Sequence, residues 1–160
     1  MNWKWYIIIL LLIAIFWSSA YQFTFGQSIY ASDPTEITVV DGDTIRMGET
    51  RIRLHGVDAP EMRQAGGRDA RSRLRAIIAT GGVLSCVFLD RDRYQRFVAK
   101  CFTNKKIDIG GEMVRNGYAF AYQAFSRDYV VDEHFAKENR LGLWRGEPVM
   151  PWVWRRSRLK

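Results

Sequence analysis

The chain has 160 residues, a net charge of +7, 48% hydrophobic residues and 26% charged residues. This length excludes a string of domains, and the apolar share excludes low-complexity disorder, so one domain with its own core is expected. The positive balance points to a polyanionic partner such as nucleic acid, anionic lipid or acidic polysaccharide. Residues 1–20 carry a single charge, Lys4, and Tyr6 to Trp17 is an unbroken apolar run followed by Ser18, Ser19 and Ala20. This reads as a secretory signal peptide. No charge intervenes before Asp33, so residues 5–25 are also long enough for an uncleaved membrane anchor. Both readings place the remainder outside the cytoplasm, secreted, periplasmic or tethered. Residues 21–35, rich in Gln, Ser and Thr, read as a linker.

From Glu36 onward the pattern is that of a folded domain, taken as residues 36–145. Ile37 to Val40, Thr44 to Met47 and Thr50 to Leu54 are short β-branched or alternating runs, predicted as a meander of three strands. Arg68 to Thr80 carries an apolar stripe at Ala70, Leu74, Ile77 and Ile78, the spacing of one helix face, and Gly81 and Gly82 end it. Val83 to Leu89 and Phe97 to Phe102 are the next strands, joined by a polar hairpin turn from Asp90 to Gln95. Ile107 to Arg115 is a helix with Asp108 placed to cap it, and Ser126 is placed to cap a last helix running to about Arg140. The order predicts an α+β fold: a five-stranded antiparallel OB-type β-barrel with about three helices. Cys86 and Cys101 flank the hairpin, where a disulfide suits an exported chain and two buried thiols are the alternative. Residues 146–160 form a tail rich in Trp and Arg, a mixture that suits a membrane interface or nucleic acid.

The densest chemistry lies in Asp41-Gly42-Asp43-Thr44 and in Arg53-Leu54-His55-Gly56-Val57-Asp58-Ala59-Pro60-Glu61. Crowded carboxylates repel and call for a cation. Asp43 and Asp58 are short carboxylates on turns, suited to an oxygen-lined calcium site that the backbone carbonyl of Ala59 can complete. Glu61, with its longer side chain, is placed as a base that activates water. Arg53 is a permanent cation whose fork matches two phosphate oxygens. A second such cation is expected from Arg96 in Asp92-Arg93-Tyr94-Gln95-Arg96. Asp41 and His55 read more simply as a turn residue and a packing residue.

These three segments, in this order and spacing, resemble the motifs of the thermonuclease family, the staphylococcal-nuclease-like fold. Gly117-Tyr118-Ala119 and Gly142-Leu143-Trp144 are similar to later landmarks, and the resemblance spans about Glu36 to Trp144; the Trp- and Arg-rich ending resembles those of exported members, which implies a tail packed against the domain with its final residues loose. It implies a calcium-dependent nuclease that cleaves DNA and RNA to leave 3′-phosphates. By motif position Arg53, Glu61 and Arg96 are catalytic, while Asp43, Asp58 and Ala59 hold the metal. Two positions depart from the pattern: Gln95 stands where the family has glycine, and Ala59 where threonine is familiar. Arg93 and Tyr94 contact a terminal phosphate or merely form a surface turn. Tyr122 stacks on a base or packs in the core. A monomer is the default. The rival is a non-catalytic surface module of OB type that binds nucleic acid, and a basic membrane-associated structural protein is a third reading. A pure binder has no need of the acid–arginine set.

Overall fold

The computed structural model describes residues 28–31 and 33–158. The N-terminal apolar run of residues 1–20 lies outside the described residues. The fold is α+β. Its main sheet contains β1 (Ser28–Ala31), β2 (Ile37–Val39), β3 (Thr44–Met47), β4 (Thr50–Leu54), β6 (Leu84–Arg91) and β7 (Phe97–Thr103). A short pair is formed by β5 (Val57–Asp58) and β8 (Phe120–Ala121). The helices are α1 (Gly67–Gly81), α2 (Ile109–Arg115), α3 (Val130–Glu138) and α4 (Pro151–Ser157).

The sheet runs in the order β1-β6-β7-β4-β3-β2. The meander β2-β3-β4 and the hairpin β6-β7 are the five expected strands. They meet along β4 and β7, which run parallel and set Arg53 beside Val98, while every other pairing in the sheet is antiparallel. The parallel pair follows from connectivity: after α1 the chain enters β6 at the sheet end where β4 finishes, so the hairpin partner β7 returns in the direction of β4. One strand was not expected. Residues 28–31, within the segment read as a linker, pair antiparallel with β6. Ile29 and Tyr30 are good strand formers, and an open edge of β6 offers them a ladder of unpaired backbone groups.

The stripe read from the sequence is the buried face of α1, where Ala70, Leu74, Ile77 and Ile78 meet Ile45, Ile52, Leu54, Leu84, Met113 and Val114 in one core. Gly82 ends the helix at φ 68°, in the left-handed region that suits glycine. Asp108 caps α2 as expected, accepting from the amides of Gly110 and Gly111. The last domain helix starts later than Ser126: α3 begins at Val130, and Ser126 instead accepts from the amide of Asp128. Cys86 and Cys101 are directly opposed in the β6–β7 register, fully buried and bonded to each other, with Cα atoms 4.0 Å apart.

Candidate active site

The β3–β4 register sets Thr44 opposite Arg53, so the turn holding Asp43 lies against the end of β4. The amide of Leu54 donates to the carbonyl of Asp43 at 2.8 Å and locks that approach. The His55–Gly56 turn, with Gly56 at φ 67°, then reverses the chain and returns Asp58 to the same arginine. Arg53 donates through Nη1 to Asp43 Oδ1, and through Nη2 to Asp58 Oδ1 at 2.9 Å and to the carbonyl of Val57 at 3.1 Å. Asp43 also accepts from Thr44 Oγ1 at 3.0 Å and from the Ala59 amide at 2.7 Å. Ala59 thus orders one acid while its neighbour in sequence supplies another. The side chains of Asp43 and Asp58 are 3% and 0% exposed.

Glu61 borders this pair and is wetter, its side chain 38% exposed. Its backbone is pinned by the start of α1. The amide of Gln64 donates to its carbonyl at 2.8 Å, and a Cβ on Gly67 would stand 2.0 Å from that oxygen. Only glycine lets the helix begin so close.

The electrostatics are uneven. Burial pushes the Asp43 carboxyl up to about 6, with Arg53 opposing and Asp41 adding to the rise. At Arg53 burial alone would weaken the charge, but Asp43 and Asp58 together outweigh it and hold the guanidinium above its ordinary value. Asp43 has a single opposite charge beside it, Arg53, whereas Arg53 is faced by Asp43, Asp58 and Asp41.

A residue absent from the sequence-based site completes the cluster. Arg155, on α4, donates to Asp58 through Nη1 to Oδ1 at 3.1 Å and Nη2 to Oδ2 at 2.7 Å, and its Nη1 reaches Glu61 Oε1 at 2.8 Å. Burial opposes the charge of Arg155, and the bonds to Asp58 and Glu61 more than offset it. The sequence held one signal for this: Trp152 and Arg155 are three apart, on one face of a helix that Pro151 can open. Trp152 stacks on Tyr122 with ring centroids 5.7 Å apart and meets Phe120 edge-on. The base-stacking candidate Tyr122 therefore packs against the tail.

Arg96 stands elsewhere. Its Nε and Nη2 bond Asp92 Oδ2 at 2.7 and 2.6 Å, and among the described residues it has no ion pair with Asp43, Asp58 or Glu61. Arg93 and Arg96 both lie over the ring of Tyr94, which is 64% exposed at the tip of the β6–β7 turn. Gln95 takes φ 61° there, the conformation a glycine would adopt without strain. His55 lies 3.7 Å from Asp128, outside the cluster. As the side chains stand, no group of three acids, histidines or cysteines among the described residues forms a metal cage. Arg53 lies between Asp43 and Asp58, and Arg155 between Asp58 and Glu61.

An OB-type fold that gathers buried carboxylates and arginines at the end of its meander has the charged groups that phosphate-ester chemistry uses. The comparisons make this specific. The family model of staphylococcal nuclease homologues matches residues 51–146. An uncharacterized endonuclease of Escherichia coli is 33% identical over 126 residues, covering 74% of this chain and 82% of its own. An uncharacterized endonuclease of Haemophilus influenzae is 33% identical over 129 residues, covering 76% and 71%. The probable staphylococcal-like nuclease CAN3 of Oryza sativa subsp. japonica is 33% identical over 118 residues, covering 72% of this chain but 31% of its own. The chain belongs to the staphylococcal nuclease-like family. It is a nuclease, a hydrolase of phosphodiester bonds, and its substrate is nucleic acid.

Proposed function

We propose that this nuclease is calcium-dependent, cleaves both DNA and RNA, and works through Glu61, Arg53 and Arg96. The observation that carries the reading is the convergence on Arg53 of two buried carboxylates, Asp43 from the turn before β3 and Asp58 from strand β5, with the more exposed Glu61 at their border. Glu61 has the exposure needed to meet a water molecule and accept its proton as the water attacks phosphorus. Negative charge then gathers on the equatorial oxygens of the phosphoryl group, and a fixed guanidinium stabilises that state more than the bound ground state. Arg53, oriented by Asp43, Asp58 and the Val57 carbonyl, is the preformed clamp. Arg96 is the second, reaching the phosphate by exchanging Asp92 for it. The bond between phosphorus and the 5′-oxygen breaks, that oxygen takes up a proton and leaves as the 5′-hydroxyl of the next nucleotide, and the phosphate stays on the 3′-oxygen.

Asp43, Asp58 and the Ala59 carbonyl would hold the metal. The donor chemistry fits: all three are oxygens, which suits a hard divalent cation, and the nearby His55 is turned to Asp128 instead. Calcium bound there supplies positive charge beside the phosphate and orients it. Arg93 and Tyr94 at the hairpin tip contact the substrate chain, while Tyr122 stays stacked on Trp152. The buried disulfide and the apolar residues 1–20 support export, as a secreted or membrane-tethered monomer.

The test is nuclease assay of the purified full chain on single-stranded DNA and on RNA. Activity is expected with calcium and is expected to stop on chelation. Glu61→Gln is expected to lose about 100- to 10,000-fold in turnover while still binding DNA. Cleavage by Glu61→Gln at the parent rate sinks the assignment of the base.

A further inference from the structure

Helix α4 occupies both features of the site that a ligand would use. Arg155 takes three places: Asp58 Oδ1 at 3.1 Å, Asp58 Oδ2 at 2.7 Å and Glu61 Oε1 at 2.8 Å. Trp152 covers the ring of Tyr122, with the ring planes 20° apart. The rest of α4 is seated by the buried Pro151 and by Gln64, whose Nε2 donates to the carbonyl of Val149.

An ionised carboxylate has about four lone-pair positions. At Asp58, Arg53 and Arg155 together fill three of them. The one position left is on Oδ2, the oxygen that Arg155 already bonds, so a divalent cation ligated by Asp58 would stand against the Arg155 guanidinium. Charge leads to the same conclusion. Arg53 alone leaves Asp43, Asp58 and Glu61 with two uncompensated negative charges, which one divalent cation neutralises. Arg155 supplies half of that compensation, and a divalent cation beside a retained Arg155 would make the cluster positive.

The two arginines differ in how readily they leave. Arg53 lies in a strand, 17% exposed, and bonds a backbone carbonyl as well as two acids. Arg155 lies on a seven-residue helix, is 36% exposed and bonds only the acids, so its guanidinium can turn into water without being stranded in the interior.

We infer that Arg155 is a built-in cation held where the metal binds, so that helix α4 and a divalent cation compete for Asp58 and Glu61. The inference rests on Asp58 being a metal ligand. Arg155 acts through those carboxylates as a positioning residue: it keeps Glu61 engaged and the site closed until metal displaces it. Linkage makes the competition reciprocal: what weakens the Arg155 contact tightens metal binding, and metal loosens the helix.

The test measures calcium affinity of the full chain by titration calorimetry without nucleic acid, for the parent, Arg155→Met and Arg155→Ala. Circular dichroism checks that each variant is folded, and Arg155→Met keeps the apolar stem. Both variants are expected to bind calcium tighter by about 5- to 150-fold. In the parent, calcium is expected to speed amide exchange over residues 151–158, a measurement that needs no variant. Unchanged or weaker calcium binding by folded variants, with exchange over α4 unaffected in the parent, overturns the competition and leaves the metal site standing. Calcium binding that is absent from parent and variants alike overturns both the competition and the metal reading. Loss of calcium binding in Asp58→Asn separates these cases by showing that the titrated site is the one described.

Discussion

Gln95 carries a left-handed backbone at φ 61° on the turn that presents Arg96. For a residue with a Cβ that conformation costs about 1–2 kcal/mol. The turn tolerates it because Asp92 over-determines the geometry, accepting from the amides of Tyr94 and Arg96 at 2.9 and 3.0 Å. Gln95→Gly is expected to raise stability by about 0.5–1 kcal/mol after the added freedom of the unfolded chain is subtracted. Chemical denaturation reads this directly, and a loss of stability would mean that the glutamine side chain contributes contacts that glycine cannot. A second residue ties stability to alkaline pH. Tyr129 donates to Asp108 Oδ2 at 2.8 Å, and burial first, then the charge of Asp108, holds its phenol well above the ordinary range. A folded value above the unfolded one stabilises the protein fully below about pH 10, and the contribution fades as pH rises past it. The unfolding free energy is therefore expected to fall between about pH 9.5 and 11.5, and the fall to be shallower in Tyr129→Phe. Equal slopes would remove Tyr129 as the cause.

At the scale of elements, the β6–β7 hairpin is the best tied. Its strands are held by a continuous ladder broken by one bulge near Phe88 and Asp90, and by the disulfide 15 residues apart in sequence. Reduction, or Cys86→Ser with Cys101→Ser, is expected to destabilise the chain by about 2–4 kcal/mol, read as a lower Tm under reducing conditions. A Tm unmoved by reductant would mean that the hairpin is as constrained without the bond. The same strands carried much of the fold's legibility. The stripe of α1, the β-branched runs and the cap at Asp108 were readable because each depends on neighbours a few residues away. The strand at residues 28–31 was not, because Ile29 and Tyr30 are ordered only by an edge of β6 more than fifty residues distant. The late start of α3 has a similar origin: Tyr129 is drawn into the core by Asp108, so the chain from Ser126 to Asp128 forms a turn instead of a first helical turn.

For the whole molecule, the site is a meeting of distant pieces. Asp43, Arg53, Asp58 and Glu61 lie within nineteen consecutive residues, so motif spacing alone brings them to one end of the meander. Sequence by itself determined the α+β order and the acid–arginine cluster, since those rest on local periodicity and on charged residues at short separations, and the resemblance of its motifs pointed to the nuclease family. Only the tertiary structure decided which second arginine touches the acids. Arg96, adjacent in motif order, is held by Asp92 four residues away, a partner its own turn supplies. Arg155, 97 residues from Asp58, is delivered by a short helix whose tryptophan finds Tyr122 and whose proline finds the core. Long-range ion pairing is set by how helices pack on a finished sheet, and no spacing rule along the chain encodes it.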